Sequence, residues 1–257
     1  KITFDGVIGV SAGAIHGSGF VAGQQGRSIR YYKKYCADER FMSVKSLLKT
    51  GDIVGKDFCY RELPEVLDPF DYDAYDQSDT KFYATCSNLE TGEAEYLEIT
   101  DMHRQIDLVR ASASLPYVSH IVEFDGMKLL DGGCTDSIPV KAFQKMGYTK
   151  NVVVLTRDAD YLKKPQSVIP ARWMYRKYPR FIKALKERHQ VYNQTREEIS
   201  KMEQEGSIFV IRPSEVLKIG RMSHDAEEIQ KIYDIGRKDA VKAMDDLHKW
   251  MGSEDEK

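Results

Sequence analysis

Cysteine is scarce: Cys36, Cys59, Cys86 and Cys134 are the four thiols in a chain of 257 residues. None is paired at CxxC spacing, which argues against a disulfide scaffold or zinc ribbon and points to a reducing compartment. Long apolar runs are missing too; nothing approaches the roughly 18 residues that a membrane span needs. Charge of one sign is not in excess, because 38 Lys and Arg stand against 40 Asp and Glu. The formal charge of −2 therefore gives nucleic acid no global attraction, and no recognition motif for it accompanies the local basic stretches. No fixed-period repeat, low-complexity tract or interdomain linker interrupts the chain. These absences leave a cytoplasmic globular protein as the expectation. The sequence opens at Lys1 rather than Met, directly before an apolar stretch, so it is expected to be incomplete at its N-terminus.

What is present suffices for a substantial core: 42% of residues are hydrophobic, with ten Phe, fifteen Tyr and two Trp. Phe4 to Val10 reads as a buried, β-branched strand, and a small-residue helix follows to about Ala22. A second helix covers about 28 to 39. Residues 40 to 80, rich in Asp, Gly, Pro and Tyr from about 50, form an excursion with short helical turns. Phe82–Cys86 and Glu95–Ile99 flank a Glu90-Thr91-Gly92-Glu93 turn and predict a hairpin. Asp101 is placed to cap a helix that Pro116 stops. Asp125-Gly126 between two apolar runs is a second, stronger hairpin signal. Pro139 opens a helix ending near Gly147, Asn151–Thr156 is another strand, and Ile208–Arg212 is the last. Charged helices fill about 170 to 204 and 223 to 250. Strands alternating with helices define an α/β layered fold, expected as one domain over 1–257 with a charged helical part from about 160.

Gly9-Val10-Ser11-Ala12-Gly13 is a GxSxG pattern lying between a buried strand and a helix, the setting that a nucleophile elbow requires. Such a turn holds the serine in a strained backbone conformation, and the flanking glycines let neighbouring backbone pass closely. The helix that follows points its amides, that of Ala12 first, toward a developing oxyanion. The plainer alternative is a tight turn in which Ser11 only caps the helix. A serine hydroxyl also needs a base. His189, His224 and His248 lie in charged helical segments with no turn to present them, and His16 sits inside the helix after the serine. Asp131, in Leu129-Leu130-Asp131-Gly132-Gly133, ends an apolar strand with two glycines beside it. That places a carboxylate at a sheet edge, although a turn carboxylate bonding its own backbone reads the same way.

Together these motifs resemble the patatin-like phospholipase family, whose catalytic dyad pairs a GxSxG serine with the aspartate of a DG[AG] motif. Ala111-Ser112-Ala113-Ser114-Leu115-Pro116 matches that family's ASxxxP block in order and spacing. The resemblance implies a three-layer α/β/α sandwich around a mainly parallel sheet, Ser11 as nucleophile and Asp131 as base. It requires no histidine, metal or organic cofactor. It implies lipid or other acyl-ester substrates, and leaves phospholipase, lysophospholipase, lipase and acyltransferase activity open. A catalytically silent acyl-lipid binding protein on the same fold is the alternative from another class. The family's glycine-rich GGGxR-type oxyanion loop belongs one strand and one helix before the elbow, upstream of where this sequence starts, and is expected to have been lost to truncation; the Ala12 amide is expected to supply only part of that hole. An unperturbed aspartate titrates near 3.9, so proton transfer to it must be concerted with attack.

Between Lys163 and Arg188 nine basic residues face one acid, Glu187, with Trp173, Met174, Tyr175, Tyr178 and Phe181 interleaved. That mix suits peripheral contact with an anionic membrane surface. It equally suits a solvated helix whose apolar stripe docks on the domain.

Overall fold

Sequence order and spatial order diverge early in the computed structural model, which describes residues 2–220 and 222–252. Lys1 and the last five positions of the expected domain span lie outside the described residues. The first strand, β1 (Gly6–Val10), is followed by α1 (Ala12–Val21) and α2 (Arg27–Tyr35). The excursion holds α3 (Val44–Thr50), a π-helical stretch over Phe58–Leu67 and α4 (Tyr72–Asp76). Pro64 sits inside that π-helical stretch and has no N–H to give; the Asp68 N–H instead closes onto the Leu63 carbonyl, five residues back.

Next come β2 (Lys81–Asn88) and β3 (Ala94–Glu98), then α5 (Met102–Ser112), capped by the Asp101 side chain accepting from the Arg104 amide. The strands β4 (Val122–Phe124) and β5 (Met127–Asp131) form the second hairpin. Its turn puts both Asp125 (φ 46°) and Gly126 (φ 76°) in the left-handed region, as an Asp-Gly hairpin turn demands. After β5 the chain continues through α6 (Val140–Lys145), β6 (Asn151–Val154), α7 (Ile169–Met174), α8 (Pro179–Gln204), β7 (Ile208–Ile211) and α9 (Ala226–Gly252).

The larger sheet runs β1-β2-β5-β4, with β3 also paired to β2; β6 and β7 form a second, two-stranded sheet. The pairs β1–β2 and β6–β7 are parallel, while the hairpin strands β3, β5 and β4 join antiparallel. The period of two along β2 shows how the layers arise. Phe82, Ala84 and Cys86 face a core shared with Ala14 and Val21 of α1 and with Leu108, Val109 and Ala111 of α5. Tyr83, on the other face, packs against Phe143 of α6 and Tyr148. Helices thus cover both faces of a mixed sheet, in the α/β layered class expected.

Two further clusters attach the remaining helices. Leu89, Leu130 and Cys134 pack against Ala171 and Tyr175 from the α7 region and Phe181 and Leu185 of α8. Val153 and Ile208 of the small sheet, with Leu155 just after β6, pack against Ile199, further along α8. Fully burying a residue such as Phe181 contributes about 2–3 kcal/mol, so α8 is fastened to the strand that ends in Asp131.

Candidate active site

Ser11 occupies the turn between β1 and α1 with φ 56° and ψ −121°, a conformation that a residue bearing a Cβ adopts only under constraint. The constraint is visible. Its backbone N–H donates to Ser112 Oγ at 2.9 Å, and that hydroxyl donates to the Thr85 carbonyl at 2.7 Å. Although Ser11 stands at the cap position of α1, its hydroxyl makes no cap hydrogen bond, whereas Ser43, Asp71 and Asp101 cap their own helices. Ser11 is half-buried, and Ala12 and Gly13 after it are exposed.

The two motif glycines differ. A Cβ at Gly9 would stand 2.5 Å from the Gly13 carbonyl oxygen and from the Ala14 Cα, so only glycine fits. A Cβ at Gly13 would meet nothing within 4 Å. The close-approach argument holds for the first glycine and not for the second.

Asp131 is 2% exposed. Its N–H donates to the Ser114 carbonyl at 2.8 Å, its own carbonyl accepts from Ser87 Oγ at 2.8 Å, and its Oδ1 accepts from the Gly133 amide at 2.8 Å. The last bond caps a short 3-10 turn over Gly132–Cys134. Gly132 is obligatory, since a Cβ there would lie 2.1 Å from the Thr85 carbonyl oxygen. Because β5 runs antiparallel to β2, the backbone of Asp131 is positioned by register: Asp131 lies opposite Cys86, and Val10 lies opposite Thr85. Ser11 and Asp131 therefore flank β2 at one level, their backbones separated by two strand spacings of about 4.8 Å each.

The ASxxxP block joins the two sides. Ser112 holds Ser11 and Ser114 holds Asp131. Further along, the Tyr117 N–H donates to the Tyr175 hydroxyl at 2.9 Å, and the Val118 carbonyl accepts from Ile53 at 2.8 Å. Tyr117 has φ 72° and is 37% exposed. Burial pushes the hydroxyl pKa of both Tyr117 and Tyr175 upward. Sequence reasoning gave the block but not these roles: Ser112 acts through its hydroxyl, whereas Ser114 acts through its main-chain carbonyl and spends its hydroxyl on the Arg110 carbonyl, so no side-chain pattern signals it.

The histidines are occupied elsewhere. His16 Nδ1 contacts Ser28 Oγ at 2.9 Å, His189 Nδ1 contacts the Lys186 carbonyl at 3.1 Å, His224 Nδ1 contacts the Cys36 carbonyl, and His248 is exposed on α9. An imidazole–carboxylate contact does exist, between His120 Nδ1 and Asp52 Oδ2 at 2.9 Å. The two are 68 positions apart in sequence. The contact fastens the end of the 113–120 segment to the excursion.

Residues 1–143 match the family model described as patatin-like phospholipase, more than half of the chain. The chain belongs to the patatin-like phospholipase family, a family of lipid acyl hydrolases. Residues 178–252, which take in α8, β7 and α9, match a domain of unknown function, DUF6363. Over 167 residues, 63% of this chain, the sequence is 26% identical to the uncharacterized protein YjjU of Escherichia coli (strain K12). The match covers 46% of YjjU, so the chain spans less than half the length of that relative.

Proposed function

We propose that the protein is a serine esterase that hydrolyses lipid acyl esters through Ser11 and Asp131. The observation that supports this reading is Ser11 itself: a strained turn and a hydroxyl not spent on capping its helix, with the backbone of Asp131 level with it across β2.

In the proposed cycle Ser11 Oγ attacks the ester carbonyl while Asp131 takes its proton. The tetrahedral oxyanion faces the first amides of α1, beginning with Ala12, at the positive end of that helix. Collapse breaks the bond to the alcohol, Asp131 returns the proton to that leaving oxygen, and an acyl-enzyme remains. Water then enters, gives a proton to Asp131 and releases the fatty acid as Ser11 recovers its hydrogen. An acyltransferase would differ only in the alcohol that replaces water.

The substrate side fits a peripheral contact with lipid. Ile169 (74% exposed), Trp173 (80%) and Met174 (48%) present apolar surface beside exposed Arg172, Arg176 and Lys177. Ala171, Tyr175 and Phe181 turn the other way, into the core. The basic–aromatic stretch thus divides between docking and display, in keeping with one domain whose α7–α8 region borders the site. No helix among the described residues is long and apolar enough to cross a membrane.

A fluorophosphonate probe and a panel of acyl esters test the reading, applied to the parent protein, Ser11→Ala and Asp131→Asn. Labelling and turnover should vanish in Ser11→Ala, and turnover should fall at least 10³-fold in Asp131→Asn. Labelling that survives Ser11→Ala would remove Ser11 from the nucleophile role. No labelling or turnover by the parent protein, with acyl lipid still bound, would favour the silent binding protein.

A further inference from the structure

Leu185 of α8 is buried against Leu130 and Cys134, and Arg188 follows it by three residues, on the same face of the helix. The guanidinium is thereby brought to the turn after Asp131. A Cβ placed on Gly133 would stand 3.2 Å from Arg188 Nη2 and 2.9 Å from Asp131 Oδ1, so those two atoms are at most about 6 Å apart. Lys163 approaches from the same side: its Nζ donates to Ser137 Oγ at 3.3 Å, and that oxygen is 3.5 Å from the same point beside Gly133. Both cations oppose the burial that pushes the Cys134 thiol up to about 12.

Arg188 stands apart from the buried arginines. Arg27 pairs with Asp68, and Arg196 donates to the carbonyls of Asp158 and Ala159 at 2.7 and 2.9 Å. Arg188 Nε is buried and finds no hydrogen-bond partner among the described residues. A guanidinium carries five donors, and leaving a buried one without an acceptor is costly. Its planar fork matches the oxygens of a phosphate.

We propose that Arg188 binds an anionic group on the alcohol side of the ester, and that the preferred substrates are lysophospholipids bearing a phosphate monoester there. The inference rests on the Ser11–Asp131 reading, because Asp131 returns its proton to the departing alcohol and so fixes which side of the ester lies nearest. In a 1-acylglycerol 3-phosphate, three carbons separate the ester oxygen from the phosphate ester oxygen. With bonds of about 1.5 Å, that separation is roughly 5 Å. An alcohol oxygen held by Asp131 thus brings its phosphate to the Arg188 guanidinium. The part of the chain matching a domain of unknown function thereby contributes a specificity residue to the family's active site.

The test compares 1-acylglycerol 3-phosphate with the uncharged 1-acylglycerol of the same acyl chain, in the parent protein, Arg188→Gln and Arg188→Lys. The ratio of the two kcat/KM values should favour the phosphate ester and fall at least tenfold in Arg188→Gln, mostly through KM. Arg188→Lys should recover part of it. An unchanged ratio in Arg188→Gln overturns the inference. A second measurement does not depend on turnover. Calorimetry on Ser11→Ala should detect glycerol 3-phosphate, and adding Arg188→Gln should abolish that binding. No binding to Ser11→Ala overturns the subsite, and inorganic phosphate bound as tightly as glycerol 3-phosphate overturns its assignment to a lipid head group. Turnover that depends on Ser11 but ignores the phosphate defeats this inference alone; turnover that survives Ser11→Ala defeats the esterase reading beneath it.

Discussion

The backbone N–H of Ser11 and the hydroxyl of Ser112 form a 2.9 Å hydrogen bond between residues 101 positions apart. The same hydroxyl donates its own hydrogen bond to the Thr85 carbonyl at 2.7 Å, so one small side chain satisfies two main-chain groups at the elbow. Ser112→Ala leaves both without that partner. Stability should drop by about 1–3 kcal/mol, the usual cost of orphaning buried polar groups. Ester hydrolysis should fall mainly in kcat, because the change loosens the geometry of Ser11 rather than any contact with substrate. Thermal unfolding and steady-state kinetics on one ester measure the two effects.

Gly9 and Gly13 should respond unequally to alanine. A methyl at Gly9 collides with backbone, so Gly9→Ala must shift the start of α1, with a loss of about 2–4 kcal/mol and of Ser11-dependent turnover. Gly13→Ala meets open space in a helix, where alanine is favoured by up to about 1 kcal/mol. It should unfold no earlier than the parent protein. Melting curves of the two variants side by side decide the point.

Asp136 offers a pH dependence. Burial raises its pKa, against the pull of hydrogen bonds from the Tyr96 hydroxyl and the Ile138 amide. A carboxyl whose folded pKa is raised holds its proton more tightly in the folded state. Its relative stabilisation is present below the unfolded pKa near 3.9 and is lost as pH rises through the higher folded value. The Tm of Asp136→Asn minus that of the parent protein should therefore increase from pH 4 upward and then level off. A difference that stays flat over that range would show that Asp136 ionises as freely in the folded chain as in the unfolded one.

Trp173 tests the proposed contact with lipid. It is 80% exposed, so Trp173→Ala should change stability by no more than about 0.5 kcal/mol. Co-sedimentation with vesicles rich in anionic lipid should fall several-fold, further when Arg172→Glu is added, and high salt should weaken the parent protein's binding. Unaltered sedimentation would assign this surface to solvent.

The sequence carried the elements well where local chemistry decides them. Asp125-Gly126 specified a turn because only such residues take two left-handed conformations readily, and Asp101 marked a helix start because its side chain reaches the third amide beyond. The dyad candidates were legible as motifs because glycine is irreplaceable at Gly9 and Gly132. Strand direction was less legible. A hairpin signal says that β4 and β5 run oppositely, yet nothing local says that β5 lies against β2. Arg188 was seen only as one of nine charges, since its nearness to Gly133 depends on α8 docking through Leu185 some 50 residues later. His120 and Asp52 were invisible as a pair for the same reason.

Thr85 contributes neither hydroxyl chemistry nor charge to the site, yet its carbonyl receives Ser112 from one flank and bounds the Gly132 turn on the other. A single peptide plane is the common abutment for both halves of the proposed dyad. Rotating it would unseat Ser11 and Asp131 simultaneously, so damage along this strand is expected to remove any activity that needs the pair outright rather than leave a cripple with one working half. Anyone transplanting the pair to a new scaffold would have to carry the intervening strand with it.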